Sequence, residues 1–294
     1  MAMAERVAEG EKYMAAASKK AKSKGFLGGM FSDPSAKFEE AYELCDQAAN
    51  CFKIAKKWEM AANAYIQAAQ YKETIKDPFE AANAYRNAAK LLQKVNPGAA
   101  VKPLEQSMRL FESEGKFNQA SKIAFECAEM LEKDALIEDA LEMYKAAKSH
   151  AETDGNNESG EKKANEKIAH LMCQLEEYDE ARDIFEELGD AMVENDLLKF
   201  SCSAMYLKAS LCCLAGGDVV TTKVKHERYE ENAAYFRDST ESKLVVQLCA
   251  AVENQDAAEF TEVVKEYDRI KKLDAWMTQI LLKIKKGLEG EDLL

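Results

Sequence analysis

Ala61-Ala62-Asn63-Ala64-Tyr65-Ile66-Gln67-Ala68-Ala69 is followed twenty residues later by Ala81-Ala82-Asn83-Ala84-Tyr85-Arg86-Asn87-Ala88-Ala89. In each copy, positions i, i+3, i+4 and i+7 are Ala, Ala, Tyr and Ala, which places small side chains and one ring on a single face of an α-helix. One helix with its turn takes about twenty residues, so the duplication is a helix repeated. Alanines let neighbouring helices approach closely, and the tyrosine fills the gap between them.

The spacing extends in both directions. An aromatic or aliphatic residue followed at +3 by Ala occurs at Trp58/Ala61, Phe117/Ala120, Ile137/Ala140 and Tyr178/Ala181. Two such helices form a unit of about forty residues that cannot bury its apolar face alone, so the units must stack into a solenoid. The pattern resembles a tetratricopeptide repeat with a longer period, with Ala61-Ala62 where that repeat carries Leu-Gly. The breaks carry turn chemistry: Lys76-Asp77-Pro78, Asn96-Pro97-Gly98, Glu114-Gly115, the polar run from Asp154 to Gly160, and Gly216-Gly217-Asp218. From about Ser239 the alanine–tyrosine pattern gives way to longer amphipathic stretches. The expected organisation is a hairpin array over 1–238, a C-terminal helical bundle over 239–288 and an acidic, leucine-ended tail over 289–294.

Composition supports an all-α chain: only 4 Pro and 13 Gly interrupt 294 residues rich in good helix formers. A net charge of -13 argues against a nucleic-acid binder, which needs a basic face for phosphates, and in favour of local basic patches on an acidic background. The most apolar stretch, Met205 to Leu214, is short and interrupted by Lys208, so it is not expected to span a membrane. With no signal-like N-terminal apolar region, the expectation is a cytoplasmic protein. The eight cysteines, which form no CxxC pair, then read as small buried hydrophobes rather than metal ligands. Asn157-Glu158-Ser159 is a glycosylation sequon that such a chain never uses.

No signature of catalysis appears: no GxxxxGK[ST], no GxGxxG, no HExxH and no GxSxG. His150, His170 and His226 lie far apart and read as surface or satisfied helix residues. Glu176-Glu177, Glu186-Glu187 and Glu230-Glu231 read as solvated helix faces. No enzyme activity, cofactor or metal is expected.

Two features point to contact surfaces. Gly25-Phe26-Leu27-Gly28-Gly29-Met30-Phe31 sets Phe26, Leu27, Met30 and Phe31 in a glycine-rich loop flanked by Lys19, Lys20, Lys22, Lys24 and Lys37. Bulky apolar residues among lysines suit shallow insertion into an anionic bilayer, and at about 1.5–3 kcal/mol for each buried side chain the attachment is weak and reversible. A loop tucked onto the first hairpin is the alternative. The second feature is Lys116, Lys122, Lys163 and Lys167, which recur near helix starts or on helix faces and form a positive track for an acidic partner or a scattered solvated surface.

These residues together resemble the α-type soluble NSF attachment protein family. The resemblance spans the chain and rests on 25–31, Ala48-Ala49-Asn50-Cys51-Phe52-Lys53, Asn63-Ala64-Tyr65 with Gln67-Ala68-Ala69, Glu114-Gly115-Lys116-Phe117 and Leu197-Leu198-Lys199-Phe200-Ser201. Further along come Val264-Lys265-Glu266-Tyr267-Asp268, Leu273-Asp274-Ala275-Trp276, Ile284-Lys285-Lys286 and Glu291-Asp292-Leu293-Leu294. It implies a twisted sheet of antiparallel helical hairpins with a C-terminal bundle, monomeric when free, several copies of which wrap a syntaxin-type SNARE four-helix bundle. It also implies an adaptor that recruits and stimulates the N-ethylmaleimide-sensitive factor ATPase in vesicle fusion and intracellular transport, with peripheral membrane association. On that resemblance Phe26, Leu27, Met30 and Phe31 touch membrane, and Lys116, Lys122, Lys163 and Lys167 grip SNAREs. Asp218, Glu253, Leu293 and Leu294 meet the ATPase. The sequence departs from the family pattern at Ser203 and Thr240, where a basic residue is usual, and at Ala250 and Asn254, where acidic ones are. The competing expectation is a generic tetratricopeptide-like scaffold that binds peptide tails and has no membrane role.

Overall fold

The computed structural model describes residues 3–23 and 35–290. Among these residues the chain forms α-helices, one short 3-10 turn at Lys199–Ser201, and no strand. It divides into two compact units, Met1–Glu161 and Lys162–Leu294.

The first unit holds α1 (Met3–Lys22), α2 (Ala36–Ile54), α3 (Trp58–Thr74), α4 (Pro78–Leu92), α5 (Pro97–Ser113), α6 (Phe117–Lys133), α7 (Ile137–Asp154) and the first turn of α8 (Glu158–Gln174). From α1 to α7 each helix packs on the next, as a chain of hairpins must. The duplicated stretches lie on α3 and α4, where Ala61, Ala64, Ala68, Ala81 and Ala88 are fully buried and Tyr65 and Tyr85 nearly so. Trp58, Phe117 and Ile137 are the first residues of their helices, and the alanine three positions on is fully buried each time. Buried polar atoms tie neighbours together: Ser107 donates to the Ala82 carbonyl and Ser121 to the Ala147 carbonyl, each at 2.8 Å.

The turns follow the proposed chemistry. Asp77 and Asn96 cap α4 and α5 by accepting from the amides of Glu80 and Ala99, each followed by a proline in the first helical turn. The period is also written in the backbone. Lys56 and Lys76, and later Gly115, Ala135 and Gly155, take positive φ at twenty-residue intervals. A left-handed residue there ends one helix and turns the chain into the next.

The second unit holds the rest of α8 with α9 (Tyr178–Val193), α10 (Cys202–Ala215), α11 (Val219–Asn232), the single turn α12 (Ala234–Arg237), α13 (Thr240–Glu253), α14 (Ala257–Ile270) and α15 (Ala275–Glu289). Its centre is α10, which packs on α9, α11, α13 and α15 and is buried nearly all round. That placement accounts for the apolar run from Met205: a helix apolar on every side belongs inside. No helix among the described residues is long and apolar enough to cross a membrane. Tyr206 of α10 stacks on Tyr229 of α11 with ring centroids 4.4 Å apart and 5° between the planes. The division expected after residue 238 falls in the link between α12 and α13, while Phe185, Tyr206, Phe236, Leu244 and Trp276 share one buried cluster across that point.

Two sequence expectations are corrected here. Glu186 is not on a solvated face: it is 6% exposed and accepts from Lys225 at 2.9 Å, Arg228 at 3.4 Å and the Tyr229 hydroxyl. Its i+3 and i+4 neighbours gave no sign of this, because its partners come from a different helix. Glu176 and Glu177 are not helical; Glu176 has φ of 63° and forms the turn between α8 and α9.

Candidate functional site

The proposed membrane-contacting residues Phe26, Leu27, Met30 and Phe31, together with Leu293 and Leu294, lie outside the described residues.

In the first unit, Lys116 holds the N-cap position of α6 without capping it, and its ammonium lies 4.3 Å from the centre of the Phe79 ring. A cation over a ring face is partly held by the ring quadrupole, and Phe79 is itself braced edge-on by Phe111 at 5.9 Å. Lys122 is exposed on α6 between the buried Ser121 and Ile123. Six positions on a helix amount to about 240° of rotation, so the two lysines do not share a face of α6.

In the second unit, Lys163 and Lys167 stand one turn apart on α8, the first exposed and the second half-buried. Their i, i+4 spacing makes them neighbours on one stripe. Asp218 and Glu253 also come to one edge. Asp218 caps α11, accepting from the Thr221 amide at 2.8 Å and the Thr221 hydroxyl at 2.6 Å, and these bonds hold its carboxyl below the usual carboxylate range. One turn along α11, Lys223 reaches Glu253 at the end of α13 at 2.5 Å. Ser203 is buried in α10, and the Thr240 hydroxyl donates to Glu241 at 3.0 Å, so neither position supplies a surface cation.

One surface escaped sequence reasoning. Between α9 and α10, Leu197 is 90% exposed and Phe200 67% exposed. Phe200 packs edge-on against Tyr235 at 4.7 Å, with the Lys199 ammonium 5.5 Å from the Tyr235 ring. The available signal was an apolar pair outside any helical period; its pairing with Tyr235 was not.

One polar cluster has the ingredients of nucleophilic catalysis. The Ser242 hydroxyl lies 3.0 Å from His226 Nε2 and 2.9 Å from Glu230 Oε1. Its single proton goes to the carboxylate, so His226 Nε2 carries a proton and donates to Ser242. A histidine donating to the hydroxyl cannot take its proton, and the carboxylate orients the serine rather than the imidazole, the reverse of a catalytic triad. Ser242 is 2% exposed. Burial lowers the pKa of His226, in keeping with a neutral, structural ring. Among the described residues, no group of His, Cys, Asp and Glu is arranged to hold a metal.

Fold and surfaces together define an all-helical hairpin-repeat protein in which, among the buried side-chain polar atoms of the described residues, Asn165 Oδ1 alone has no hydrogen-bond partner. The chain belongs to the soluble NSF attachment protein family: residues 8–289 match the family described as "Soluble NSF attachment protein, SNAP". It is similar to the alpha-soluble NSF attachment protein of Vitis vinifera, at 35% identity over 99% of this chain and 98% of that one. The alpha-soluble NSF attachment protein of Mus musculus is 36% identical over 97% of this chain and 96% of its own. A vesicular-fusion protein, SEC17, of Coprinopsis cinerea is 35% identical over 94% of each chain.

Proposed function

We propose that this chain is the adaptor that binds SNARE complexes and recruits and stimulates the N-ethylmaleimide-sensitive factor ATPase for SNARE disassembly in vesicle fusion and intracellular transport. The observation that carries this is a family match running almost the whole length of the chain. The chain hydrolyses nothing itself, and acts by holding one partner to another. Stacked hairpins pack as a dense core that resists deformation, which suits a part that passes force between partners.

Lys122, Lys163 and Lys167 supply cations for the acidic surface of a SNARE four-helix bundle, with Lys116 held over Phe79 as a fixed fourth. The exposed Leu197 and Phe200 offer apolar contact to the same amphipathic bundle. Asp218 and Glu253, gathered at one edge of α11 and α13, face basic patches of the ATPase, with Leu293 and Leu294 as the stimulating tail. Phe26, Leu27, Met30 and Phe31 hold the assembly weakly to the bilayer, giving a cytoplasmic protein with peripheral membrane association. The hairpin array over 1–238 carries the proposed SNARE-binding lysines and also Asp218, the bundle over 239–288 carries Glu253, and the tail over 289–294 carries the leucines; the chain is a monomer when free and several copies act on one SNARE complex.

The test is co-sedimentation of purified SNARE bundle, this chain and the ATPase. The ATPase should sediment with SNAREs only when the chain is present, and Leu293→Ala should keep that recruitment while losing stimulation of hydrolysis. An ATPase retained equally with and without the chain would overturn the adaptor role; equal stimulation by Leu293→Ala would overturn the tail's part in it. A scaffold that only binds peptide tails would give neither effect and would not float with liposomes.

A further inference from the structure

The sulfurs of Cys173, near the end of α8, and Cys212, on α10, lie 3.4 Å apart although 39 residues separate them in sequence. Of the eight free thiols, seven are buried and Cys173 alone is partly open. Cys173 lines a cavity of about 180 Å³ together with Tyr178, Trp276 and Lys283. A single water needs only about 10–15 Å³ of such space, so a hydroperoxide fits easily. Cys212 has no exposed surface, and its neighbour across the gap is Cys173.

We propose that Cys173 is a peroxide-reactive modification site and Cys212 its resolving thiol, the two closing into an intramolecular disulfide. In the first step the Cys173 thiolate attacks one oxygen of hydrogen peroxide. The S–O bond forms as the O–O bond breaks, and the departing hydroxide takes up the thiol's proton as water. In the second step the Cys212 sulfur attacks the Cys173 sulfur. The S–S bond forms as the S–O bond breaks, and the hydroxyl leaves with the Cys212 proton as a second water. Two thiols are oxidised and one peroxide is reduced to two waters.

The geometry favours this pairing over others. A disulfide needs its sulfurs at about 2.05 Å, so the gap closes by about 1.4 Å. Burial raises the Cys212 thiol well above its ordinary range, with the Cys173 contact adding to it, while the Arg182 guanidinium pulls the other way. Cys212 therefore acts second, on an already oxidised Cys173. Cys213, next in sequence, is engaged instead by Arg182. The product ties α8 to α10 beside Trp276 of α15.

The full chain, reduced and then treated with hydrogen peroxide, should lose two hydrogens by intact mass. Peptide mapping should join Cys173 to Cys212, and dithiothreitol should reverse the change. In Cys212→Ser, dimedone should trap a sulfenic acid on Cys173; Cys212→Ala is tested alongside, because a hydroxyl in that buried place costs stability. In Cys173→Ser, Cys212 should stay unmodified under the same treatment. Three results would overturn the proposal: no mass loss in the native protein, a cross-link to another cysteine, or sulfinic acid on wild-type Cys173 with Cys212 still free.

Discussion

The Lys208 ammonium of α10, only 6% exposed, is paired with the Glu166 carboxylate of α8 at 2.5 Å. It also donates to His170 Nε2 at 3.0 Å and lies 5.6 Å from both the Phe185 and Trp276 rings. Sequence reading took Lys208 for the residue that interrupts an apolar run; the fold turns it into the hub of a polar knot among aromatics. Removing Glu166 leaves the buried Lys208 charge without its carboxylate, whereas replacing Lys208 by an apolar chain of similar length leaves only the more exposed Glu166 carboxylate.

The pair of substitutions Glu166→Gln and Lys208→Met separates those effects. Stranding a fully buried charge costs about 3–5 kcal/mol; the Lys208 ammonium left by Glu166→Gln keeps His170 as an acceptor, which softens that loss, whereas the Glu166 carboxylate left by Lys208→Met is 37% exposed and hydrated. Glu166→Gln should destabilise the second unit by about 2 kcal/mol, and Lys208→Met by less than about 1 kcal/mol. Denaturant unfolding followed by Trp276 fluorescence, in a Trp58→Phe background, reads both. A larger loss for Lys208→Met than for Glu166→Gln would refute the assignment.

His170 should make stability depend on acid. Its ring faces the cations Lys208 and Lys167, the rings of Phe185 and Trp276, and the Glu166 carboxylate at 4.0 Å. Burial, with help from the two lysines, pushes its pKa down to about 3. Unfolded, a histidine titrates near about 6.5, so between those values the unfolded chain binds the extra proton. The neutral ring's contribution is therefore complete above about pH 6.5 and is lost as pH falls toward 3, by at most about 1.4 kcal/mol per pH unit. His170→Gln should flatten the fall in unfolding midpoint over that window. Parallel curves for variant and parent would rule the effect out.

Gly189 and Gly287 should respond to alanine with opposite signs. A Cβ on Gly189 would meet the Tyr206 ring at 2.7 Å, whereas one on Gly287 would meet nothing within 4 Å. Tyr206 has nowhere to retreat, being stacked on Tyr229 and held by Asp190 at 2.7 Å and Asn232 at 2.9 Å. Overpacking at about 1–3 kcal/mol outweighs the helical gain of about 1 kcal/mol, so Gly189→Ala should lower the melting temperature and Gly287→Ala should raise it. Shifts of the same sign would show that the ring moves freely.

Lys122→Glu with Lys163→Glu tests the proposed basic contact. Both side chains are exposed, so helicity should be unchanged while retention on purified SNARE bundle falls about tenfold or more. Parent binding should itself weaken with added salt, because exposed charges are screened beyond about 8–10 Å at physiological ionic strength. Equal retention by variant and parent at every salt concentration would remove electrostatics from the contact.

Most of the architecture was legible because it is written locally. Trp58, Phe117, Ile137 and Tyr178, each followed three residues on by alanine, mark helix starts to the residue. Asp77-Pro78 and Asn96-Pro97 carry their own capping chemistry. The candidate site was legible only as residue types: Lys163 and Lys167 share a face by helical period alone, but nothing in sequence shows that Lys116 is held over Phe79 or that Lys223 stands beside Glu253.

The sequence by itself determined that the chain is helical, where its hairpins turn and which family it resembles. Helical period, capping and small-residue stripes act over a few residues, so a window of sequence contains the whole cause. Only the tertiary structure decided the meetings of Lys208 with Glu166, 42 residues away, of Cys173 with Cys212, 39 away, and of Tyr229 with Glu186, 43 away. Those depend on which helix stacks on which, and burial turns a residue that any local window would give to solvent into the buried partner of another.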